Sequence, residues 1–403
     1  MAVFALRRLG LALTLLGGCG RLNFDPTPDA CVPLPEICDG IDDDCDLVAD
    51  NDCTAAVASV GGGNDFACAV TTLGHAWCWG LNDRGQLGDG TNVSRSEPRE
   101  VDAAIRWADV VPGGLHTCGL DTDGSAWCWG DNTVGELGLG TSDTDPHPLP
   151  VQVPGLVGLR AIAAGFMTTC AIAADGRVLC WGARKNGALG DGQTVGFNPN
   201  PTAVPGLASG LALTDGGPAC ALTGAALPAE ARCWGADGLS EMPVTGLPLV
   251  GSISSGDGSA CAVDANRDLF CFGRNTSGEL GLGVIDSTPG TPPWTAQRTL
   301  LSRVVDFEAS NEFACAVQDD QRVSCWGANR FQELGHATGG MPDPIPAIIE
   351  IPEPAQRVRT ASYSSFVVTQ RGALWAWGRN DLGQLGIGMV SGDQPPVPVP
   401  IPN

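Results

Sequence analysis

The chain of 403 residues is short of most of what catalytic sites are built from. It has four histidines, one lysine (Lys185) and one tyrosine (Tyr363). His75, His116, His147 and His336 share no spacing, and lone histidines of this kind are far more often structural than catalytic. There is no His-Glu-x-x-His pair, no Gly-x-Ser-x-Gly elbow and no Walker loop, which sets aside the zinc peptidases, hydrolases and nucleotide hydrolases that carry those signatures. Positive charge is scarce as well: 22 Lys and Arg stand against 45 Asp and Glu, a net charge of −23. Such a chain is repelled by nucleic-acid phosphates, so no nucleic-acid partner is expected. With 56 Gly and 30 Pro it is rich in turns and poor in helix formers, as an all-β globular protein is.

Long apolar runs are missing too. Arg7 and Arg8 precede Leu9 to Leu16, and a stretch of roughly 8 to 10 apolar residues is too short to span a bilayer. It ends Leu16-Gly17-Gly18-Cys19, which resembles a bacterial lipobox. Residues 1–18 then read as a lipoprotein signal peptide, Cys19 as the lipidation site and residues 19–30 as a tether. Gly20 follows in place of an inner-membrane retention Asp, so the expected location is the bacterial cell envelope, lipid-anchored in the outer membrane. The alternative is an ordinary signal peptide cleaved near a chance cysteine. An exported chain is expected to use its 17 cysteines for disulfides rather than for metal.

What is present is a repeat. Trp-Gly recurs at Trp79, Trp129, Trp181, Trp234, Trp326 and Trp377, with Phe272-Gly273 as a degenerate copy. Intervals are 50 to 54 residues, except 38 between Trp234 and Phe272, because unit four ("CWGADGLSEMP") lacks the Gly-Gln/Glu-Leu-Gly-x-Gly loop. Gly187-Ala188-Leu189-Gly190-Asp191-Gly192 has the letters of a dinucleotide loop, but it is one copy of this repeated segment. Each unit contains a hairpin. A three-residue turn Thr72-Leu73-Gly74 sets Thr71 against His75 and Cys68 against Cys78, at a close pair within disulfide range. The same spacing gives Cys118/Cys128, Cys170/Cys180, Cys261/Cys271 and Cys315/Cys325, and a longer turn gives Cys220/Cys233. Unit seven has Phe366 and Ala376 there, losing both cysteines together, which favours disulfides over buried free thiols.

These residues carry a resemblance to the regulator of chromosome condensation family. Asn82, Gly85, Gln86, Leu87 and Gly88 match its pattern in unit one. Asn132, Gly135, Glu136, Leu137 and Gly138 match in unit two, and Asn380, Gly383, Gln384, Leu385 and Gly386 in unit seven. Unit three departs with Arg184 for Asn, unit six with Gln332 for the first Gly. The resemblance implies a seven-bladed β-propeller over residues 55–403, with the tryptophans and leucines filling gaps between blades. The chain end, "DQPPVPVPIP", resembles the Pro-containing strand seen before later units, such as "SEPREV". Val397 and Val399 are therefore expected to complete the blade begun by Val57 to Gly80 and so close the ring.

Residues 31–53 form a short Cys/Asp-rich segment. Cys31, Cys38, Cys45 and Cys53 staple it in a connectivity the sequence leaves open. Asp39, Asp42, Asp44, Asp46 and Asp50 are candidate metal ligands: Asp42, Asp44 and Asp46 alternate as in a Ca²⁺ loop, and the segment is similar to an Asp/Cys metal-binding motif of bacterial surface proteins. Leu47 replaces the turn glycine of an EF-hand and Cys53 its last carboxylate. Ca²⁺, a solvated acidic spacer and a thiolate site are the three readings, and Ca²⁺ is the expected cofactor.

The expected function is a non-enzymatic, membrane-anchored extracytoplasmic scaffold that binds a protein partner. The alternative is an extracytoplasmic hydrolase or lyase with its site in the central funnel, which carboxylates or histidines converging there would favour. Units differ most over Thr91 to Pro98, Thr141 to Pro150, Gln193 to Pro201, Val284 to Thr295 and His336 to Pro346. In a closed propeller these loops emerge on one face as a variable rim, with Phe197 and Trp294 as aromatic candidates for partner contact. Trp294 follows paired prolines that stiffen its approach, unless it tucks back onto its own blade.

Lipidation is directly testable. Several acyl chains at roughly 0.8 kcal/mol per buried methylene hold a protein firmly in a bilayer. Cys19→Ala should move the protein from the detergent phase to the aqueous phase on Triton X-114 partitioning, and unchanged partitioning would reject the lipid anchor.

Overall fold

The computed structural model describes residue 37 and residues 54–207, 210–212, 219–223, 226–234, 242–256, 258–286 and 295–402. Among these, twenty-eight β-strands, numbered β1 to β28 along the chain, form seven four-stranded antiparallel sheets, each from four consecutive strands. One 3₁₀ turn, Lys185–Gly187, is the sole helical element among the described residues. The first sheet is β1 (Val57–Gly62), β2 (Phe66–Thr71), β3 (Ala76–Gly80) and β4 (Arg95–Glu100), and it sets the plan for the others. The sheets are the blades of a propeller, packed face to face around an axial channel lined, among the described residues, by the first strands of six of them.

The central hairpin of each blade is its most buried part. Thr71 N–H donates to His75 O, Gly74 takes φ +80°, and Cys68 faces Cys78 across the pair. Cys68–Cys78, Cys118–Cys128, Cys170–Cys180, Cys220–Cys233, Cys261–Cys271 and Cys315–Cys325 are disulfides with Cα atoms 4.1 Å apart. In the seventh blade Phe366 faces Ala376, so an aromatic ring fills the space of a cystine.

Neighbouring blades are joined through the repeat tryptophan. The Trp129 indole N–H donates to the carbonyl of Gln86, in the preceding unit's loop, at 2.9 Å. Trp181 bonds Glu136 at 2.8 Å, Trp234 bonds Ala188 at 2.9 Å, Trp326 bonds Glu279 at 3.0 Å and Trp377 bonds Glu333 at 2.9 Å. Trp79 bonds Gln384 at 2.9 Å, which carries the same contact across the seam between the last blade and the first. The loop glycines permit this approach. A Cβ on Gly138 would lie 2.8 Å from Trp181 Nε1, and the residue takes φ +73°.

The ring does not close as the sequence suggested. β28 (Gln394–Pro398) pairs with β27 (Leu374–Gly378) of the seventh blade, with Val397 opposite Ala376, and does not join the blade of Val57 to Gly80. The Pro-containing strand belongs to the hairpin before it: Arg99 of "SEPREV" pairs with Cys78. Each blade is therefore complete within its own stretch of chain, and the ends meet side by side. Ala55 N–H donates to Ile401 O at 2.9 Å, while Val399 and Ile401 are buried in a cluster with Val57, Val60 and Trp79. Prolines such as Pro98, Pro148 and Pro344 sit on outermost strands, where a missing N–H blunts an open edge.

Two substitutions separate hydrogen bond from fit. Trp181→Phe removes one buried donor and should cost about 1 kcal/mol, whereas Gly138→Ala adds a steric clash at positive φ and should cost more. Urea unfolding of both variants tests this order, and the reverse order would refute the tight approach of loop to indole.

Candidate functional site

Two regions offer chemistry to the outside. The first is the loop rim. In each complete unit an asparagine fixes the segment between the third and fourth strands: Asn82 Oδ1 accepts the Leu87 N–H at 2.9 Å, and its Nδ2 donates to Thr91 O at 3.0 Å. Asn132, Asn275, Asn329 and Asn380 repeat the acceptor bond. Where unit three has Arg184, the guanidinium substitutes by bonding Asp191 at 2.6 Å and Phe197 O at 2.7 Å. Four of the loops also reach the next blade, through Gly90 N–H to Pro148 O, Gly140 N–H to Pro199 O, Gly283 N–H to Pro344 O and Gly388 N–H to Ser96 O. The equivalent connection is thus held at the same end of every such blade. Beyond this anchor the loops expose apolar side chains: Val93, Val195, Val284, Ile285, Met341, Met389 and Val390. Phe197 is 41% exposed at the start of its strand. Trp294 lies outside the described residues, as do Cys19, Asp39, Asp42, Asp44, Asp46 and Asp50. Ile37, from the acidic segment, is buried in the core cluster of the sixth and seventh blades.

The second region is the axial channel, of about 460 Å³. Its walls are the innermost strands, each hydrogen-bonded to a neighbour on one side only, so amides on the other side need partners. Side chains of the preceding blade supply them. Glu308 accepts the Thr360 N–H at 2.7 Å, Asp306 accepts the Val358 N–H at 2.8 Å, and Ser254 Oγ accepts the Ala309 N–H at 3.0 Å. Arg359 bonds Asp306 at 2.9 Å. Asp109 accepts from Ser59 Oγ at 3.3 Å. Burial pushes Glu308 up to about 7, against the pull of Arg359 and the Thr360 amide, with Asp306 raising it further. Burial also raises Asp109, although Ser59, the Val110 amide, Arg359 and Arg357 draw it down.

Sequence reading missed these channel residues. The available signal was a comparison of units at the third and fifth positions of the strand before each hairpin. Those positions hold Ser59 and Gly61 in one unit, but Asp306 and Glu308 or Arg357 and Arg359 in others. It also missed a cluster at the seam, where Arg379 lies over the rings of Phe331 (5.3 Å) and Tyr363 (5.6 Å) and pairs with Asp65 and Asp381. The histidines stay apart, as their spacing indicated. His116 is buried against Thr169 Oγ1, and burial lowers it to about 4, leaving it neutral. His75, His147 and His336 each face a carboxylate of their own unit.

Comparison with known proteins agrees with the repeat. Residues 74–120, 123–172 and 371–403 match the regulator of chromosome condensation (RCC1) repeat, and residues 57–86, 107–136, 159–188 and 251–279 match a second model of that repeat. Human E3 ubiquitin-protein ligase HERC2 is 27% identical over 332 residues, 81% of this chain but 6% of the ligase, so the chain corresponds to a small part of that protein. The ultraviolet-B receptor UVR8 of Arabidopsis thaliana is 25% identical over 77% of this chain and 74% of the receptor. The crystal structure of Prp20p from Saccharomyces cerevisiae, described with its binding to Gsp1p and histones, superposes with a TM-score of 0.70. It covers 87% of this chain and 88% of Prp20p at 22% identity, which speaks for the fold alone.

Glu308 gives a pH prediction. Its folded pKa, about 7, lies above the ordinary carboxylate value of 4.5. The stability it contributes is therefore full below the unfolded value and is lost as pH rises through about 7. Glu308→Gln keeps an acceptor for Thr360, so it should melt above the parent at pH 8 and flatten the decline between pH 5 and 8. Equal slopes for parent and variant would show that Glu308 is not held neutral.

Proposed function

We propose that this chain, built of RCC1 repeats, is a non-enzymatic scaffold of the cell envelope, lipid-anchored through Cys19, whose loop rim binds a protein partner. The observation that carries the reading is the rim's construction. Asparagine or Arg184 fixes the base of each loop, while Val93, Val195, Ile285, Met341 and Met389 project beyond it unburied. Rigid blades presenting variable loops form a surface with a low ordering cost on binding. Protein binding is also what Prp20p is described for, yet Gsp1p and histones belong to that protein. A shared propeller carries the architecture across and leaves the partner to be set by the loops.

The enzyme reading has one observation in its favour: Asp306 and Glu308 stand two residues apart in the channel, and Glu308 is close to neutral. Against it, both carboxylates accept backbone amides of the next strand, and no His, Cys, Lys or Tyr lines the channel among the described residues. Hydrogen-bonding the inner strands together accounts for these acids without a reaction.

The rim is tested with the full chain as bait against envelope extract, followed by quantitative binding of the captured protein. Val195→Asp with Met341→Asp, and separately Trp294→Ala, should weaken capture tenfold or more, about 1.4 kcal/mol or above. The melting temperature should not change. Capture unaffected by all three substitutions would refute the rim.

A further inference from the structure

The channel has a composition that framework duties do not explain. Viewed by blade, the third and fifth positions of the inner strands divide it into two walls. The sixth, seventh, first and second blades contribute Asp306 and Glu308, then Arg357 and Arg359, then Ser59, then Asp109. Among the described residues, the third and fifth blades contribute Ala163, Ser252 and Ser254, with no charge. One wall thus carries charges of both signs, and the described side chains of the wall beyond it are uncharged.

Within the charged wall the pairing is incomplete. Arg359 is committed to Asp306 and to the Val358 carbonyl. Glu308 and Asp306 are committed to the amides of Thr360 and Val358. Arg357 makes no hydrogen bond or ion pair with a described residue, although it lines the channel. Among the described residues Asp109 accepts hydrogen bonds from the Ser59 hydroxyl and the amide of Val110 alone; Arg359 and Arg357 attract it through space without bonding it. Arg357 and Asp109 hold the same third position on the blades either side of Ser59, so they face the channel at one level. On the neutral side, the Ser255 hydroxyl is buried (7% exposed) and has no partner. A half-buried carboxylate and a guanidinium at one level, neither bonded to an opposite charge, are complementary to a molecule that carries both charges itself.

We propose that the axial channel binds a small zwitterion of the amino-acid or short-peptide class, with its carboxylate at Arg357 and its ammonium at Asp109. Its apolar side chain lies along the neutral wall, where Ile162 and Ile253 also line the channel. A volume of about 460 Å³ accommodates a dipeptide, within the size range of small-ligand sites. A simple anion is disfavoured because Asp109, Asp306 and Glu308 line the same channel as Arg357, and a simple cation because Arg357 and Arg359 line it too. The inference does not depend on the rim, and the two can fail separately.

Isothermal titration of the full chain with leucine and with leucyl-leucine tests it, alongside the N-acetylated and C-amidated dipeptides. The expected result is saturable binding of the free dipeptide, weakened tenfold or more by blocking either end. Arg357→Gln should lower affinity for the free dipeptide at least tenfold and abolish the penalty for amidation. No hydrogen bond or ion pair among the described residues depends on the Arg357 guanidinium, and its attraction for Asp109 acts only through space, so the melting temperature should stay put. Asp109→Asn should do the same for acetylation; if it unfolds the protein, the Arg357 arm decides alone. Absence of saturable heat with leucine and leucyl-leucine, or affinities indifferent to blocked ends and to Arg357→Gln, would overturn the proposal.

Discussion

A single hydrogen bond, indole N–H to loop carbonyl, organises the whole ring. The tryptophan belongs to the third strand of one blade and the carbonyl to the loop of the blade before, so each bond binds two repeat units that are not otherwise sheet-paired. A buried indole nitrogen without an acceptor is costly, and so is a buried carbonyl without a donor. The repeat resolves both at once. At three junctions the carbonyl's second lone pair is also used, by Thr117, Thr169 and Ser365 hydroxyls reaching Gln86, Glu136 and Glu333. Everything conspicuous in the motif serves that contact. Glycine lets the loop come close, asparagine bonds its two arms, and the Gln or Glu side chain turns back to accept an amide two residues earlier.

The exception supports the same logic. Unit four lacks the loop, and the blade that follows has Phe272 at the tryptophan position. Where the sequence lacks the loop that supplies the acceptor elsewhere, the blade that follows carries a buried ring with no N–H. The missing loop and the missing nitrogen fall at the same junction, visible in the sequence as a shortened interval and a degenerate Phe-Gly pair. The acidic members of the motif show what the contact costs. Glu136 is buried to accept the Val134 amide, and burial, helped by Asp131, pushes it up to about 7. Units one and seven use glutamine for the same bond and avoid the ionisation.

Hairpin register, cystine pairing and the role of the tryptophans were legible in the sequence because each depends on residues within one unit or on a motif repeated at constant spacing. Phe366 opposite Ala376 is the clearest case, since both cysteines vanish from paired positions together. Closure was misread because the Pro-containing strand lies between two hairpins, and spacing alone does not say which one it joins. The channel was not legible for a different reason. Its residues sit on strands whose pattern is weak, since side chains there serve the next blade's amides and the axis rather than a hydrophobic face. An alternation such as Asp306-Phe307-Glu308 reads as an ordinary half-exposed strand until its neighbour across the seam is known.

The distribution of constraint in turn locates function. Buried tryptophan, leucine, asparagine and cystine at each junction are already committed to one another, so they have nothing left to offer a ligand. Freedom remains at two sets of positions. The loops beyond the asparagine are fixed at their base and unconstrained at their tip, so their side chains vary without disturbing a blade. The third and fifth positions of the inner strands must supply an acceptor where the next strand has an open amide, but serine, aspartate and glutamate all meet that need. Arginine does not, because a guanidinium has no acceptor to give. Arg357 therefore contributes nothing to joining the inner strands, and its place in the channel calls for an explanation from outside the framework.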